Sequence, residues 1–182
     1  SKVNKDNGAI IWEKTFGGIS IDEPYSVEQT MDGGYILVGT TRSMGAGQYD
    51  AWVIKTDQDG NYIWDNTYGG LQDDMGYSIQ ETSNGNFIFC GYTSSFSDDF
   101  PPDGWIIFLD NIGNEIYNYT VGGSDYERLY CIRKVYDDGF IISGHTSSDN
   151  LSIFINGEPI NGDSGILLIK TDSQGNTIPF ID

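Results

Sequence analysis

The strongest constraint on the fold of this chain is a sequence pattern that occurs three times. Paired glycines open the three copies at Gly17-Gly18, Gly69-Gly70 and Gly122-Gly123. Each copy then continues through a Tyr, a polar turn, a Gly-x-Thr and an apolar run. A spacing of roughly 50 residues between the glycine pairs is typical of repeats that stack in a line or around an axis.

The first copy contains four short runs rich in aromatic and β-branched residues, separated by turns rich in Gly, Asp and Asn. Such runs predict strands, and the lack of a helical period excludes a parallel α/β fold. The predicted strands are Tyr25–Thr30, Tyr35–Thr41, Ala51–Thr56 and Tyr62–Tyr68. Four antiparallel strands joined in sequence order make one blade of a β-propeller, so we predict an all-β propeller with three blades per chain.

The other copies repeat this plan, except at the last strand. The predicted strands are Tyr77–Thr82, Phe87–Thr93, Gly104–Leu109 and Glu115–Val121, then Tyr130–Val135, Phe140–Thr146 and Ile166–Thr171. The end of the third copy contains Pro179, which cannot donate a ladder hydrogen bond. Ile10–Phe16 aligns with Tyr62–Tyr68 and supplies a fourth strand before any first strand. We therefore predict one domain over 1–182, with repeats at approximately 17–68, 69–121 and 122–176 and residues 10–16 as a blade-closing strand.

Closure of the ring needs more blades than this sequence provides, because closed propellers typically have about four to eight. Two explanations stay open. In the first, two chains associate about a two-fold axis into a six-bladed ring, and Ile10–Phe16 of each chain completes the third blade of the other. In the second, the sequence is a fragment of a longer propeller.

The repeat also resembles a known group of proteins. Its phrase is Tyr-Ser-x-x-x-Thr-x-Asp/Asn-Gly-x-Tyr/Phe-Ile, then Gly-x-Thr, then Trp-x-Ile-Lys-Thr-Asp-x-x-Gly-Asn. It resembles repeats of secreted and cell-surface β-propeller proteins of archaea and bacteria over Ile10 to Asn176. The strand plan is similar to kelch blades, although Gly-x-Thr stands where kelch blades have a double glycine. The resemblance implies a binding or assembly module outside the cell or at the cell surface, and supplies no catalytic residues.

The charge of the chain excludes some partners. The formal net charge is −18, from 27 acidic and 9 basic residues. Such a surface repels phosphate backbones and anionic membranes, so neither is an expected partner. It suits high solubility, a cationic partner or a divalent metal such as calcium. No apolar run approaches the length of about 20 residues that spans a bilayer.

A binding surface is predicted where the long connections gather. In a meander the tight turns lie at one edge of each blade and the long loops at the other, and loops on a rigid scaffold commonly carry binding. The long loops are rich in acids and aromatic residues, which suits a protein, carbohydrate or cationic ligand, although a solvated rim is the alternative. The candidate ligand-binding residues are Asp22, Glu23, Arg42, Tyr49, Asp73, Asp74, Phe96, Asp98, Asp99, Phe100, Asp125, Tyr126 and Arg128. The longest insertion has Ile153-Phe154-Ile155 before Asn156-Gly157, which predicts a small hairpin.

Metal binding has weak support in the sequence. Asp57 and Asp59 lie in Asp-x-Asp-Gly-Asn, which has the closely spaced oxygens of a calcium loop. A hairpin turn capped by side-chain hydrogen bonds of Asp57 is the favoured interpretation. Cys90 takes the place of Val38 and is predicted to be a small buried hydrophobe. A disulfide between Cys90 and Cys131 stays open.

Catalysis also has little support. His145 is the single histidine, and no Gly-x-Ser-x-Gly motif occurs. Glu28 and Glu81 lie on first strands, which line the channel of a propeller, and a carboxylate pair there would suit a glycan-active hydrolase or lyase. We therefore predict a non-catalytic binding or assembly module, with the glycan-active enzyme and a purely structural spacer as alternatives.

Overall fold

The computed structural model of the protein describes residues 1–97, 101–148, 153–155, 158–160 and 165–173. Within these residues the chain is all-β, and every strand pair is antiparallel. No helix in these ranges has the length and apolar character needed to cross a lipid bilayer.

The strands of each repeat form one sheet in sequence order, and we call these sheets modules 1 to 3. Module 1 contains β3 (Asp22–Gln29), β4 (Tyr35–Thr41), β5 (Asp50–Thr56) and β6 (Tyr62–Tyr68). Module 2 contains β7 (Asp74–Glu81), β8 (Phe87–Thr93), β9 (Asp103–Leu109) and β10 (Glu115–Val121). Module 3 contains β11 (Glu127–Lys134), β12 (Phe140–Thr146) and β15 (Gly165–Thr171). The described residues also form two hairpins: β1 (Lys2–Val3) with β2 (Ile10–Trp12), and β13 (Ile153–Ile155) with β14 (Glu158–Ile160).

Most strand predictions are confirmed, and the first strands are the systematic exception. Each first strand begins three residues earlier than predicted, at Asp22, Asp74 and Glu127. Asp22 and Asp74, which the sequence predicts to lie in long loops, instead belong to the sheets. The predicted hairpin in the long insertion is confirmed, because Ile155 pairs with Glu158 and Ile153 with Ile160.

The predicted strand Ile10–Phe16 is too long. The observed strand ends at Trp12 and pairs with Lys2–Val3. A strand can continue beyond Trp12 only if a partner strand accepts and donates its backbone hydrogen bonds. No described strand of this chain pairs with residues 13–16.

Two apolar cores lie between the modules. The core between modules 1 and 2 contains Val53, Phe89 and Trp105, and the core between modules 2 and 3 contains Ile106 and Ile142. Successive residues of β8 and β9 therefore enter opposite cores, which accounts for their nearly continuous apolar sequences. Burial of each such side chain contributes about 1.5–3 kcal/mol.

The two cysteines are not joined. Cys90 is buried in the core between modules 2 and 3, as its place in the repeat predicted, whereas Cys131 is half-buried. Both are free thiols. Burial raises the pKa of the Cys90 thiol, so this side chain stays neutral.

A buried lysine joins the first turn of module 1 to the middle of its sheet. Lys55 Nζ donates to Asp32 Oδ2 at 2.8 Å and to the Thr56 carbonyl at 3.0 Å. Module 3 repeats the arrangement with Lys170 and Asp137, at 3.0 Å. The pair therefore recurs in two of the three modules, and Phe108 takes the place of the lysine in module 2.

This ion pair predicts a pH dependence of stability. Because Lys55 donates hydrogen bonds to it, the pKa of Asp32 is lowered from 3.8 to about 2. A carboxyl group with a lowered pKa in the folded state stabilises the fold above its unfolded pKa, and this contribution is lost as the pH falls from about 4 to about 2. We expect the wild type to have a higher melting temperature than Asp32→Asn at neutral pH. This gap in melting temperature should close as the pH falls from about 4 to about 2. Thermal melts followed by circular dichroism measure this, and a gap independent of pH would contradict it.

Candidate functional site

A carboxylate at the start of each first strand organises the edge where the long loops gather. In module 2, Asp74 accepts hydrogen bonds from the Gly70 N–H at 2.8 Å and from Ser95 Oγ at 2.6 Å. The Thr93 hydroxyl donates to the same carboxylate. Asp74 is buried, so these donors satisfy carboxylate oxygens that water does not reach.

The same network occurs in the other modules. Asp22 accepts from Gly18, Thr41 and Ser43. Glu127 accepts from Gly123, Thr146 and Ser148. Burial opposes ionisation of Asp22, but the hydrogen bonds from Thr41, Gly18 and Ser43 outweigh it and leave its pKa lowered. The double glycine, the acidic residue and the Thr of Gly-x-Thr are thus one structural unit, and Asp22 and Asp74 of the predicted ligand set belong to it.

Asp50 also has a structural place at this edge. It is buried and accepts a hydrogen bond from the Gly47 N–H at 3.0 Å, which holds the long loop of module 1. Burial, with the nearby charges of Asp74 and Asp73, raises its pKa. The carboxylates of Asp50 and Asp74 face each other across Gly69.

Three tyrosines project from equivalent irregularities in the first strands. The pairing register shifts between Pro24 and Ser26, between Gly76 and Ser78, and between Leu129 and Cys131. The extra residue at each shift is a tyrosine: Tyr25, Tyr77 and Tyr130. A β-bulge of this kind turns a side chain away from the regular alternation of the strand, and such bulges are frequent at functional sites.

The glycine of Gly-x-Thr makes room for each bulge. A Cβ atom at Gly39, Gly91 or Gly144 would overlap a carbonyl oxygen of the facing first strand. These oxygens belong to Glu23, Met75 and Arg128. Glycine is therefore needed for close approach of two backbones, and the motif marks the position of the tyrosine across the sheet.

The three tyrosines form a continuous surface, which we call the tyrosine arc. Ring centroids are 5.0 Å apart for Tyr25 and Tyr77 and 5.5 Å apart for Tyr77 and Tyr130. Tyr25 is 45% exposed and Tyr130 49% exposed, whereas Tyr77 between them is half-buried. Burial raises the pKa of Tyr25 and Tyr77 to about 12, so both remain neutral phenols. Sequence reasoning missed this arc, although a Tyr at the same place in all three repeats was its signal.

Two arginines lie against tyrosine rings at the same edge. The Arg128 guanidinium is 4.8 Å from the Tyr92 ring centroid, and that of Arg42 is 4.7 Å from the Tyr49 ring centroid. Tyr92 also contacts Tyr77, so Arg128 adjoins the tyrosine arc. Among the described residues neither guanidinium has an ion pair, and Arg128 Nε is buried without a hydrogen-bond partner.

The other predicted ligand residues fall into four groups. Glu23 is exposed and accepts a hydrogen bond from the Tyr25 hydroxyl at 3.0 Å, so it joins the arc. Phe96 packs on Trp105 at 5.5 Å, which makes it partly a core residue. Asp73, Asp125 and Tyr126 lie in the loops that precede first strands. The last group, Asp98, Asp99 and Phe100, lies outside the described residues.

The calcium candidates lie in a capped turn. Asp57 accepts from the Asp59 N–H at 2.9 Å and from the Asn61 N–H at 2.8 Å. The Asn61 side chain donates to the second carboxylate oxygen at 2.9 Å. This confirms the turn capped by Asp57, and calcium at Asp57 and Asp59 stays a prediction. In the part of the chain that the structure describes, no group of three or more His, Cys, Asp or Glu residues is arranged around a metal position.

The candidate catalytic acids form contacts between strands. Glu28 accepts a hydrogen bond from the Gln80 amide at 2.5 Å, and Glu81 accepts one from the Met31 N–H at 2.6 Å. Burial raises the pKa of Glu28, although a hydrogen bond that Glu28 accepts from the Glu81 backbone N–H opposes this. Both carboxylates thus join β3 and its turn to β7. His145 is exposed and lies in β12 opposite Arg128 and Ile166.

An apolar groove covers the face of module 1 that points away from module 2. Its volume is about 710 Å³, and Tyr35, Leu37, Trp52 and Ile54 line its floor. These positions correspond to Phe87, Phe89, Trp105 and Ile107, which module 2 buries against module 1. Module 1 therefore presents a surface of the kind that packs against a preceding module.

The N-terminal segment partly fills that groove, and its contacts copy those of a fourth strand. Trp12 packs on Tyr35 with centroids 5.6 Å apart, as Trp64 packs on Phe87 at 6.1 Å. The Trp12 ring also lies over Gly60, as the Trp64 ring lies over Gly113. Although residues 13–16 are not in a strand, the segment occupies on module 1 the place that β6 occupies on module 2.

Comparison with known proteins does not extend these observations. A scan against protein-family models and a search of curated proteins found no match to the chain. The function of the chain is therefore inferred from the geometry of the tyrosine arc and of the groove on module 1.

Proposed function

We propose that the protein is a non-catalytic β-propeller module for binding and assembly, in which the three modules are blades and a second copy of the chain closes the ring. The observation that carries the proposal is the groove on module 1, which is apolar and follows the pattern of the buried interface between modules 1 and 2. Its complement lies at the other end of the chain.

The outward face of module 3 supplies that complement. Ile166 is 90% exposed and Leu168 is 46% exposed. In modules 1 and 2 the residues equivalent to Leu168 are Val53 and Ile106, and both are fully buried against the next module. Exposed apolar residues at positions that are elsewhere buried indicate a docking surface.

The free edge of module 3 supports the same partner. Its sheet contains three described strands and ends at β15, and no described strand pairs with the outer side of β15. Residues 10–16 of a second copy carry the side-chain pattern of a fourth strand and already lie beside module 1. Pairing β15 with that segment would cover the edge, which is otherwise prone to aggregation. Two such contacts give a ring of six blades with two-fold symmetry.

The mass in solution tests the assembly. We expect light scattering to give twice the chain mass of 20.1 kDa, and we expect Leu168→Asp to give the mass of one chain because a charge cannot be buried in the groove without a partner. The control is Ile112→Asp, which changes a residue that is 61% exposed in a tight turn. A single-chain mass for the wild type, or a paired mass for Leu168→Asp, would contradict ring closure by a second copy. The groove would then suit a further repeat in a longer chain.

The binding role has a separate test. A glycan-active enzyme would turn over neutral or acidic polysaccharides, and Glu28→Gln or Glu81→Gln would abolish that turnover. We expect no turnover by the wild type, since both carboxylates are engaged in contacts between strands. A purely structural spacer would bind no ligand saturably. Location outside the cell or at its surface follows from the resemblance of the repeats and stays a prediction.

A further inference from the structure

We propose that the tyrosine arc, together with Arg128 and Glu23, is a binding site for a neutral oligosaccharide. The inference rests on the proposed function, because it names the ligand class of a binding module. One end of the arc borders the groove that we assign to assembly, because Tyr25 and Glu23 also line that groove, whereas Tyr77 and Tyr130 do not.

The arc is built into the repeat. Each tyrosine is the extra residue of a bulge, and each bulge requires the facing glycine at position 39, 91 or 144. Three independent bulges thus direct three phenol rings to one continuous surface. The two end rings are almost half exposed in a single chain, and the half-buried Tyr77 shows the exposure that a ring of the arc keeps with a tyrosine neighbour on both sides.

The shape of the arc suits an elongated ligand. Successive centroid steps of 5.0 and 5.5 Å carry the surface across three modules. Tyrosine combines a large apolar ring with a hydroxyl group, so it binds ligands that alternate apolar patches and hydroxyl groups. The apolar faces of pyranose rings and their ring hydroxyls have that alternation.

Charge around the arc selects a neutral ligand. Arg128 and Glu23 have opposite charges, so the site has no net charge of its own for a charged ligand to complement, and Arg128 over the Tyr92 ring repels a cation placed beside it. An anionic ligand would approach a chain of net charge −18 against its field. A neutral ligand meets neither penalty.

The polar groups beside the arc have the required hydrogen-bonding capacity. Arg128 offers N–H donors in a fixed planar array, and it has no ion pair among the described residues. Glu23 is exposed and holds the Tyr25 hydroxyl, so its carboxylate offers acceptors beside a ring face. Sugar hydroxyls both donate and accept, and they can therefore use both groups.

Titration calorimetry with defined oligosaccharides tests the proposal. The probes are cellohexaose, laminarihexaose and mannohexaose, with hexalysine and oligogalacturonate as cationic and anionic comparators. We expect at least one neutral probe to bind saturably and neither charged probe to bind at the arc. Tyr25→Ala and Tyr130→Ala are each expected to weaken that binding about 10-fold or more, which is the effect of removing a central aromatic contact. The control is Tyr136→Ala, since Tyr136 is fully exposed in a tight turn and belongs to no ring pair of the arc.

The possible outcomes are distinct. Failure of all neutral probes, equal binding by Tyr25→Ala and Tyr130→Ala, or preference for hexalysine or oligogalacturonate would each overturn the sugar site. Circular dichroism of both variants checks that they fold, and two separate substitutions keep the test valid if one does not. A protein with the mass of two chains that binds none of the sugar probes would refute the sugar site and leave ring closure in place. Sugar binding by a protein that has the mass of one chain in solution would refute ring closure by a second copy and leave the sugar site in place.

Discussion

Asp74→Ala is expected to lower the melting temperature of the protein by roughly 10 °C. The substitution leaves the Gly70 N–H and the hydroxyls of Thr93 and Ser95 without their shared acceptor at a buried site. Each buried donor left unsatisfied costs about 1–3 kcal/mol, and loss of the network should cost roughly 3–5 kcal/mol in total. Thermal denaturation followed by circular dichroism measures the shift.

Module 1 provides the matched control for this experiment. Asp22 accepts the same three types of hydrogen bond, but it is only half-buried and its Gly18 donor is exposed. Water can replace the lost acceptor there, so Asp22→Ala should cost much less. Equal shifts for the two variants would contradict the dependence on burial. A higher melting temperature for Asp74→Ala would instead indicate a carboxylate held in place for a ligand.

Gly91→Ala is expected to destabilise the protein by about 3 kcal/mol or more. The new Cβ atom would overlap the Met75 carbonyl oxygen, and backbone atoms cannot move aside by a change of rotamer. Either β7 moves away from β8 or the bulge that carries Tyr77 is lost. Urea denaturation gives the free energy of unfolding, and near-ultraviolet circular dichroism reports the environment of the tyrosine arc.

Gly85→Ala separates this steric effect from backbone strain. Gly85 has a φ of +83°, and a Cβ atom there would meet no other atom within 4 Å. That substitution should cost only about 1–2 kcal/mol, the usual penalty for an L-residue in the left-handed region. A smaller loss of stability for Gly91→Ala than for Gly85→Ala would show that the strands can separate freely, and the explanation of the Gly-x-Thr motif would then be wrong.

The strand plan was predictable because it depends on local patterns. Tyr35–Thr41, Phe87–Thr93 and Phe140–Thr146 have the predicted bounds, since apolar residues fill each run and Gly-containing turns precede it. The turn at Asp57 was also predictable, because its hydrogen bonds join residues only two to four positions apart.

The functional surfaces were less predictable. Asp22 and Asp74 were expected to face a ligand, and they instead support the backbone of their own module. Their donors lie at the end of the neighbouring second strand or just after it, and they include Thr41, Ser43, Thr93 and Ser95. A pattern along the chain does not reveal such partners until the register of the sheet is known.

The sequence by itself determined that the chain is an all-β repeat with three similar units, because alternation, turn residues and glycine spacing act over a few residues at a time. Only the tertiary structure decided which residues face one another. It placed Tyr25, Tyr77 and Tyr130 in one arc, Trp12 over Tyr35, and the groove on the outward face of module 1. The physical reason is that these contacts form between strands and between sheets, where register and bulges determine the direction of each side chain.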